Sequence, residues 1–210
     1  MLILSIETST KAFSVSIFQD AEIASLELLH DVTHSQNIVN AVDFLLKSIN
    51  RPVSDITQIY AGMGPGSFTG IRIGLSFANT MCQVRGIPIL GIPSLDLLAF
   101  AIRKCYNSAI PFIRSGRQEV YTACYREGES VTDYLALNRE DFFSFIKENA
   151  PECLISSEKD HRSIMIRDDT DIKIKTVFAY PSARNAYRLA ETCGLKPEKK
   201  YLKPLYLRGI

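Results

Sequence analysis

The first half of the chain alternates short apolar segments with longer amphipathic ones. Apolar runs and period-two alternation predict strands, and apolar residues three or four positions apart predict helices. Pro52 favours an end for the first helix, and Ser94 is placed to cap the last one. The predicted elements are strands at 2–6, 13–18 and 23–28, a helix at 35–49, a strand at 56–62, a helix at 70–85, a strand at 88–92 and a helix at 95–105.

The second half repeats the order of elements found in the first. Its predicted elements are strands at 110–113, 119–125 and 131–137, a helix at 139–149, strands at 152–156 and 172–178, and a helix at 183–193. A βββαβα order therefore occurs twice, with an offset of about 105 residues. Hairpins followed by a parallel crossover predict an α/β fold of two mixed sheets with helices packed against them.

Charge is distributed unevenly between the two halves. Residues 1–103 contain 6 Lys and Arg against 8 Asp and Glu, whereas residues 104–210 contain 18 against 15. This difference predicts an N-terminal lobe at 1–104 and a smaller, more charged C-terminal lobe at 105–210. The basic stretch at 184–208 is typical of a solvated tail, but contact with RNA phosphates is an alternative.

The overall composition narrows the class of protein. The formal net charge of +1 disfavours a protein that binds nucleic acid by itself through phosphate neutralisation. Five cysteines without a C-x-x-C pair indicate neither a disulfide framework nor a zinc ribbon. No signal-peptide core and no membrane-length apolar run occur. We therefore expect a soluble, cytoplasmic protein that does not bind membranes.

A glycine-rich segment from Tyr60 to Gly74 connects a predicted strand to a predicted helix. It lacks the lysine of a P-loop and the glycine spacing of a Rossmann fingerprint. Free amides at a helix N-terminus can bind an anion, but a tight turn without a ligand fits equally well. A polar turn after the first strand is a second place for a phosphate. The candidate nucleotide or anion site comprises Glu7, Thr8, Ser9, Gly64, Gly66, Ser67 and Thr69.

The helix after the glycine-rich segment is apolar around most of its circumference. Arg72, Ser76, Asn79 and Gln83 form a single polar stripe on it. Such a helix is either deeply buried or shared with a partner, and small residues would let a second helix approach. The pattern favours the shared face.

Three motifs resemble the TsaB (YeaZ) family over essentially the whole chain. They are Leu-Ser-Ile-Glu-Thr-Ser-Thr at residues 4–10, Gly-Pro-Gly-Ser-Phe-Thr-Gly-Ile-Arg-Ile-Gly at 64–74 and Pro-Leu-Tyr-Leu-Arg at 204–208. The resemblance implies an actin-like (ASKHA) fold of two duplicated ribonuclease-H-like lobes. It also implies a role in making threonylcarbamoyladenosine, a modification of tRNA beside the anticodon.

The resemblance further implies that the chain is a non-catalytic scaffold. In the family it pairs with the transferase TsaD, the ATPase TsaE joins them, and tRNA is the substrate of the complex. The same helices form a homodimer when the subunit is alone. The resemblance gives the chain no cofactor of its own, with ADP or ATP bound weakly at the partner interface. The predicted partner-interface residues are Ile38, Val42, Leu45, Ile71, Leu75, Ala78, Asn79 and Cys82.

The residues also argue against catalysis by this chain. The catalytic paralogue has an H-x-x-x-H metal pair, and Ser94 and Leu98 occupy the corresponding positions here. The sequence therefore predicts no catalytic residue and no metal site. Two departures from the family pattern are Glu7 in place of Asp and Arg114 in place of Asp. A small ASKHA-type kinase or nucleotide-binding phosphotransferase is the alternative, although residues 104–210 lack its paired glycines.

Overall fold

A computed structural model describes residues 1–29, 34–115, 119–157 and 174–207, with the backbone alone at 34–37. The chain divides into two compact units. The first comprises Met1–Leu97 and Pro181–Leu205, and the second comprises Leu98–Tyr180 and Tyr206–Ile210. This division differs from the predicted boundary at residue 104, because the first unit ends at Leu97 and also includes the segment Pro181–Leu205.

The first unit contains a five-stranded sheet in the order β3-β2-β1-β4-β5. The central strand β1 pairs antiparallel with β2 and parallel with β4. All six residues of β1 are buried, as expected for a strand covered on both faces. The strands are β1 (Leu2–Glu7), β2 (Ala12–Gln19), β3 (Ala21–Leu29), β4 (Ile56–Gly62) and β5 (Ile89–Ile92).

Two long helices cover this sheet with their apolar sides. Helix α1 (His34–Ser48) and helix α2 (Phe68–Arg85) contribute to one core cluster with β1, β2 and β4. Helix α3 (Ser94–Phe100) follows β5. It is shorter than predicted, because Ile102 and Cys105 donate their amides to carbonyls three residues earlier in tight turns.

The second unit contains the corresponding sheet in the order β10-β7-β6-β11-β12, with β8 paired to β6 and β9. Helix α4 (Arg139–Asn149) begins at the cap Asn138 and buries Phe142 and Ile146. The strands are β6 (Ser108–Ser115), β7 (Glu119–Thr122), β8 (Tyr125–Arg126), β9 (Glu129–Ser130), β10 (Leu135–Asn138), β11 (Cys153–Ser156) and β12 (Lys175–Phe178).

The two sheets have the same strand order, since β3-β2-β1-β4-β5 in the first unit corresponds to β10-β7-β6-β11-β12 in the second. The predicted duplication of a mixed α/β unit is therefore confirmed. The predicted strand at 131–137 is interrupted, because the Val131 amide donates to the Cys124 carbonyl and the Cys124 amide donates to the Thr132 hydroxyl. Part of the predicted strand at 172–178 lies outside the described residues.

The C-terminal segment of the first unit packs against its sheet. A 3-10 turn at Ala183–Asn185 leads into helix α5 (Ala186–Thr192), where sequence analysis predicts one helix at 183–193. The Ala183 amide donates to Ser14 Oγ over 2.9 Å, and Arg184 forms an ion pair with Glu22. Leu189 and Ala190 are buried. Within the described ranges, no helix has the length and apolar character required to span a bilayer.

Candidate functional site

The glycine-rich segment forms the turn between β4 and α2, as predicted. Ser67 caps α2, its Oγ accepting from the Gly70 amide over 3.2 Å. Gly64 and Gly66 have φ values of +90° and +155°, which side-chain-bearing residues rarely adopt. At the other end, Gly86 closes α2 with a φ of +62°.

The end of β1 packs directly onto this turn and the first turn of α2. The Ser67 amide donates to the Ser9 carbonyl over 2.6 Å, and Thr8 Oγ1 donates to the Gly70 carbonyl over 2.7 Å. A Cβ at Gly66 would lie 2.1 Å from the Ser9 carbonyl oxygen, and one at Gly70 would lie 2.1 Å from that of Thr8. The glycines are therefore required for contact between two backbones.

Glu7 is completely buried at the end of β1. Its carboxylate accepts from the Ser9 amide over 2.5 Å and from Ser94 Oγ over 2.8 Å. A Cβ at Gly62 would overlap this carboxylate, at 1.9 Å from Oε2. Burial raises the pKa of Glu7 above its ordinary value of 4.5, against the opposing effect of its hydrogen bonds to Ser9 and Ser94. The glutamate side chain, which is longer than the aspartate of the family pattern, thus places its carboxylate against two hydrogen-bond donors inside the first unit, the Ser9 amide and Ser94 Oγ.

Ser94 makes buried hydrogen bonds that sequence analysis does not predict, since it identifies this residue only as a helix cap and as the counterpart of a metal-binding histidine. Its hydroxyl donates to Glu7 and accepts from the Gly64 amide over 3.2 Å, while its amide donates to the Gly64 carbonyl over 2.7 Å. Ser94 therefore joins α3 to both β1 and the glycine-rich turn. No local pattern could reveal this contact, because Ser94 and Glu7 are 87 residues apart.

The raised pKa of Glu7 predicts a pH-dependent stability. The folded state holds the carboxyl proton more tightly than the unfolded state, so stability falls as pH rises from 4.5 through the folded pKa. We expect Glu7→Gln to remove this loss, so that the variant gains stability relative to the parent as the pH rises from 4.5 through the folded pKa of Glu7. Urea unfolding measured across this range gives the comparison.

Glu148→Gln, at an exposed position of α4, serves as the control for this measurement. It should leave the pH dependence of the parent unchanged. If the free energy of unfolding of Glu7→Gln had the same pH dependence as that of the parent, the assignment of a buried carboxyl group with a raised pKa would be wrong.

The seven predicted nucleotide or anion residues come together at this junction, although the protein uses many of their polar groups itself. The amides of Gly64, Ser67 and Gly70 donate to protein oxygens. Ser9 Oγ is buried and has no hydrogen-bond partner in the described part of the chain. Thr8 is buried, and Thr69 lies exposed in the first turn of α2. The geometry is that of an internally bonded junction.

The predicted partner-interface residues are buried inside the first unit, and of the eight only Ile38 also lines the groove between α1 and α2. Ala78 is 0% exposed, and Asn79 makes two hydrogen bonds to the backbone of Leu202 within the first unit. The prediction fails for these side chains because the most apolar stripe of each helix faces the chain's own sheet. The residues concerned, none more than 8% exposed, are Ile38, Val42, Leu45, Ile71, Leu75, Ala78, Asn79 and Cys82.

The outward sides of α1 and α2 enclose an open groove of about 540 Å³. Val39 and Phe68, which line it, are 61% and 57% exposed. The Arg72 guanidinium lies 5.1 Å from the centre of the Phe68 ring. We call this surface the helical groove; its lining residues are Ile38, Val39, Phe68, Thr69, Arg72, Ile73, Ser76 and Phe77.

Large apolar side chains continue beyond the helical groove on the same two helices. Phe44 on α1 is 60% exposed, and Val84 on α2 is 77% exposed. In the sequence, such residues are apolar positions that lie outside the main apolar stripe of an amphipathic helix. For α2 they are recognisable because the helix is apolar around most of its circumference. These side chains add to the exposed apolar surface of α1 and α2 that is a candidate for contact with a partner.

Comparison with known proteins identifies the family. Residues 29–154 match the family model described as TsaD, tRNA N6-adenosine threonylcarbamoyltransferase. TsaB of Bacillus subtilis is 28% identical over 99% of this chain and 94% of its own length. The chain belongs to the TsaB (YeaZ) family. TsaB of Escherichia coli is 34% identical over 62% of this chain and 57% of that protein.

Solved structures agree with the TsaB assignment. YeaZ from Pseudomonas aeruginosa is 24% identical and aligns with a TM-score of 0.78 over 98% of this chain and 99% of its own. An inorganic polyphosphate/ATP-glucomannokinase from Arthrobacter is only 9% identical but has a TM-score of 0.53, over 91% and 99% of the two chains. These likenesses confirm the predicted actin-like fold. Arg114, which departs from the TsaB motif, lies partly exposed on β6.

Proposed function

We propose that this TsaB-family chain is a non-catalytic subunit of the machinery that makes threonylcarbamoyladenosine in tRNA, and that it pairs with a TsaD-type transferase. The observation that carries the proposal is the helical groove, whose exposed apolar residues lie on the two helices expected to meet a partner. A relative that matches nearly the full chain, from Bacillus subtilis, is named as a tRNA threonylcarbamoyladenosine biosynthesis protein. The proposal places the complex in the cytoplasm.

The chemistry of the helical groove suits a helical partner. Val39, Ile73 and Phe77 offer apolar surface, and the small Ser76 leaves room for an approaching helix. Covering such side chains yields about 25 cal/mol for each Å² of apolar surface removed from water. Because the transferase family model also matches this chain, the partner has a related fold and can present equivalent helices. Two copies of this chain would use the same groove when the transferase is absent.

The scaffold role rests on side chains that cannot perform the paralogue's chemistry. Leu98, at the second histidine position, has no metal-binding atom. Ser94, at the first, is committed to Glu7 and Gly64. Among the described residues, no three His, Cys, Asp or Glu side chains are grouped as metal ligands. We assign catalysis to the transferase and ATP hydrolysis to a TsaE-type ATPase, with tRNA as the substrate of the complex.

The proposal gives the chain no nucleotide cofactor of its own. The glycine-rich turn supports this view, because Gly64, Ser67 and Gly70 direct their amides to protein oxygens. Weak binding of ADP or ATP at the interface with the transferase is part of the same proposal. Such a nucleotide would depend on groups that the partner supplies.

Reconstitution tests the proposed function. The purified chain is expected to show negligible ATPase or peptidase activity alone, and to be required when mixed with TsaD-type and TsaE-type proteins, ATP, a pre-activated threonylcarbamoyl donor and unmodified tRNA. Modified nucleoside is measured by mass spectrometry after digestion of the tRNA. Omission of each protein in turn provides the controls.

Two results would contradict the proposal. Full modification without this chain would remove its role as a required subunit. Robust ATP turnover by the isolated chain would favour the alternative, a small phosphotransferase with the same fold.

A further inference from the structure

A basic strip runs along the surface of the first unit after helix α5. Residues 196–203 contain four lysines and one acidic residue, Glu198. All four lysines are exposed, and Tyr201 between them is 62% exposed. Lys200 forms an ion pair with Glu198 at 3.1 Å, which leaves a surplus of three positive charges. We call residues 196–203 the basic strip.

The backbone of the basic strip is fixed to the first unit. Glu198 exchanges two backbone hydrogen bonds with Ile89 of β5, at 3.0 and 2.8 Å. Leu202 donates to Asn79 Oδ1 and accepts from Asn79 Nδ2, and it is 4% exposed. Further along the chain, the Leu205 amide donates to the Met63 carbonyl. These bonds distinguish the strip from a free solvated tail, because they fix the backbone that carries the lysines.

Leu202 is buried, whereas its two neighbours in the chain are exposed. Tyr201 and Lys203 project outward, as do Lys199 and Lys200. Cys82 and Asn79 of α2 support the strip from below through the Lys200 and Leu202 backbone. The strip therefore presents exposed lysine side chains before and after one exposed aromatic residue, Tyr201.

This combination matches the chemistry of RNA. Lysines neutralise phosphates and release counterions, and an exposed aromatic ring stacks on an unpaired base. We propose that the basic strip contacts the tRNA on which the complex acts, chiefly through its phosphate backbone. The proposal rests on the proposed function, since that function supplies tRNA as the substrate. An acidic protein surface would use the lysines but would gain less from the aromatic ring.

Lys196, Lys199 and Lys203 are the residues to change, because none of the three forms an ion pair within the described residues. The probe is a fluorescently labelled, unmodified tRNA transcript. It is titrated with the full chain, alone and in complex with a TsaD-type transferase, at about 50 mM and about 200 mM salt. We expect the triple Lys→Gln variant to bind at least about tenfold more weakly and to reduce the salt slope by about two. Tyr201→Ala should weaken binding about fivefold, with the slope unchanged.

The matched control removes three exposed lysines elsewhere, by Lys11→Gln, Lys104→Gln and Lys147→Gln. It changes net charge equally, so a smaller effect on tRNA binding than that of the strip variant supports the proposal. Equal loss in both variants, or no loss in the strip variant, overturns it. If the strip variant bound tRNA normally but no longer bound the TsaE-type ATPase, the basic strip would be a contact for an acidic protein. That result would also overturn the proposal.

These outcomes remain distinct from failure of the proposed function. A chain that does not pair with the transferase fails the reconstitution, whereas its binding to tRNA is measured on the full chain alone. Conversely, a strip variant that pairs with the transferase and binds tRNA as the parent does would refute the proposed RNA contact. That result would leave the scaffold role intact.

Discussion

Ser76→Arg is expected to weaken pairing with a TsaD-type transferase by more than about 100-fold, or about 2.7 kcal/mol. Ser76 is exposed on α2 within the helical groove. Its replacement puts a long, charged side chain where a partner helix would approach, four residues from the like charge of Arg72. Burying that charge without a counter-ion is costly. Affinity is measured by titrating the labelled transferase with each variant.

Ser144→Arg is the matched control for this experiment. Ser144 is an exposed serine on helix α4 of the second unit, and its replacement should leave pairing unchanged. Both variants should unfold as the parent does, because neither position is in a core. Normal pairing by the Ser76→Arg protein would contradict the assignment of the helical groove. A charge at Ala78 cannot make this test, because that residue is 0% exposed and belongs to the core.

Gly70→Ala is expected to lower the free energy of unfolding by about 3 kcal/mol, because an overpacked core contact costs this much. Alanine normally stabilises a helix by about 1 kcal/mol relative to glycine, so the sign of the effect is informative. Here the added Cβ would lie 2.1 Å from the Thr8 carbonyl oxygen, which belongs to backbone and cannot rotate away. Urea unfolding followed by circular dichroism measures the loss.

Gly86→Ala provides a comparison at the other end of the same helix. Among the described residues, no atom outside the adjacent chain lies within 4 Å of a Cβ at Gly86, so its φ of +62° is what opposes the change. The expected cost is about 1 kcal/mol. If Gly70→Ala proved as stable as the parent, the end of β1 would not pack against the first turn of α2 as described.

The repeated order of elements was predictable because local patterns determine it. The strand at Ile56–Gly62 and the helix at Arg139–Asn149 have the predicted bounds. Each element is predicted from the spacing of apolar residues within its own few turns or pleats. The helix is also predicted from the adjacent cap, Asn138. One boundary was missed where local turns replace the helix, after Phe100, and another where distant contacts decide it, in the C-terminal segment that joins the first unit.

The two sides of the helical groove show a different limit. Helical periodicity correctly distinguishes one face of α1 from the other, but it does not say which apolar residues meet the sheet and which meet a partner. The main stripe, which includes Leu45 and Leu75, is used for the core. The surplus apolar residues, such as Val39 and Phe68, remain exposed. Because both sets are hydrophobic, only the position of the sheet separates them.

By itself, the sequence determined the duplicated α/β order, the glycine-rich turn and the family to which the chain belongs, because each depends on residue types at short spacing. The tertiary structure alone decided that Glu7 is bonded to Ser94, that Asn79 anchors the C-terminal segment, and which faces of α1 and α2 are free. These contacts join residues far apart in the chain, where no local pattern records which groups will meet. Their partners are chosen by the packing of strands and helices around a shared core.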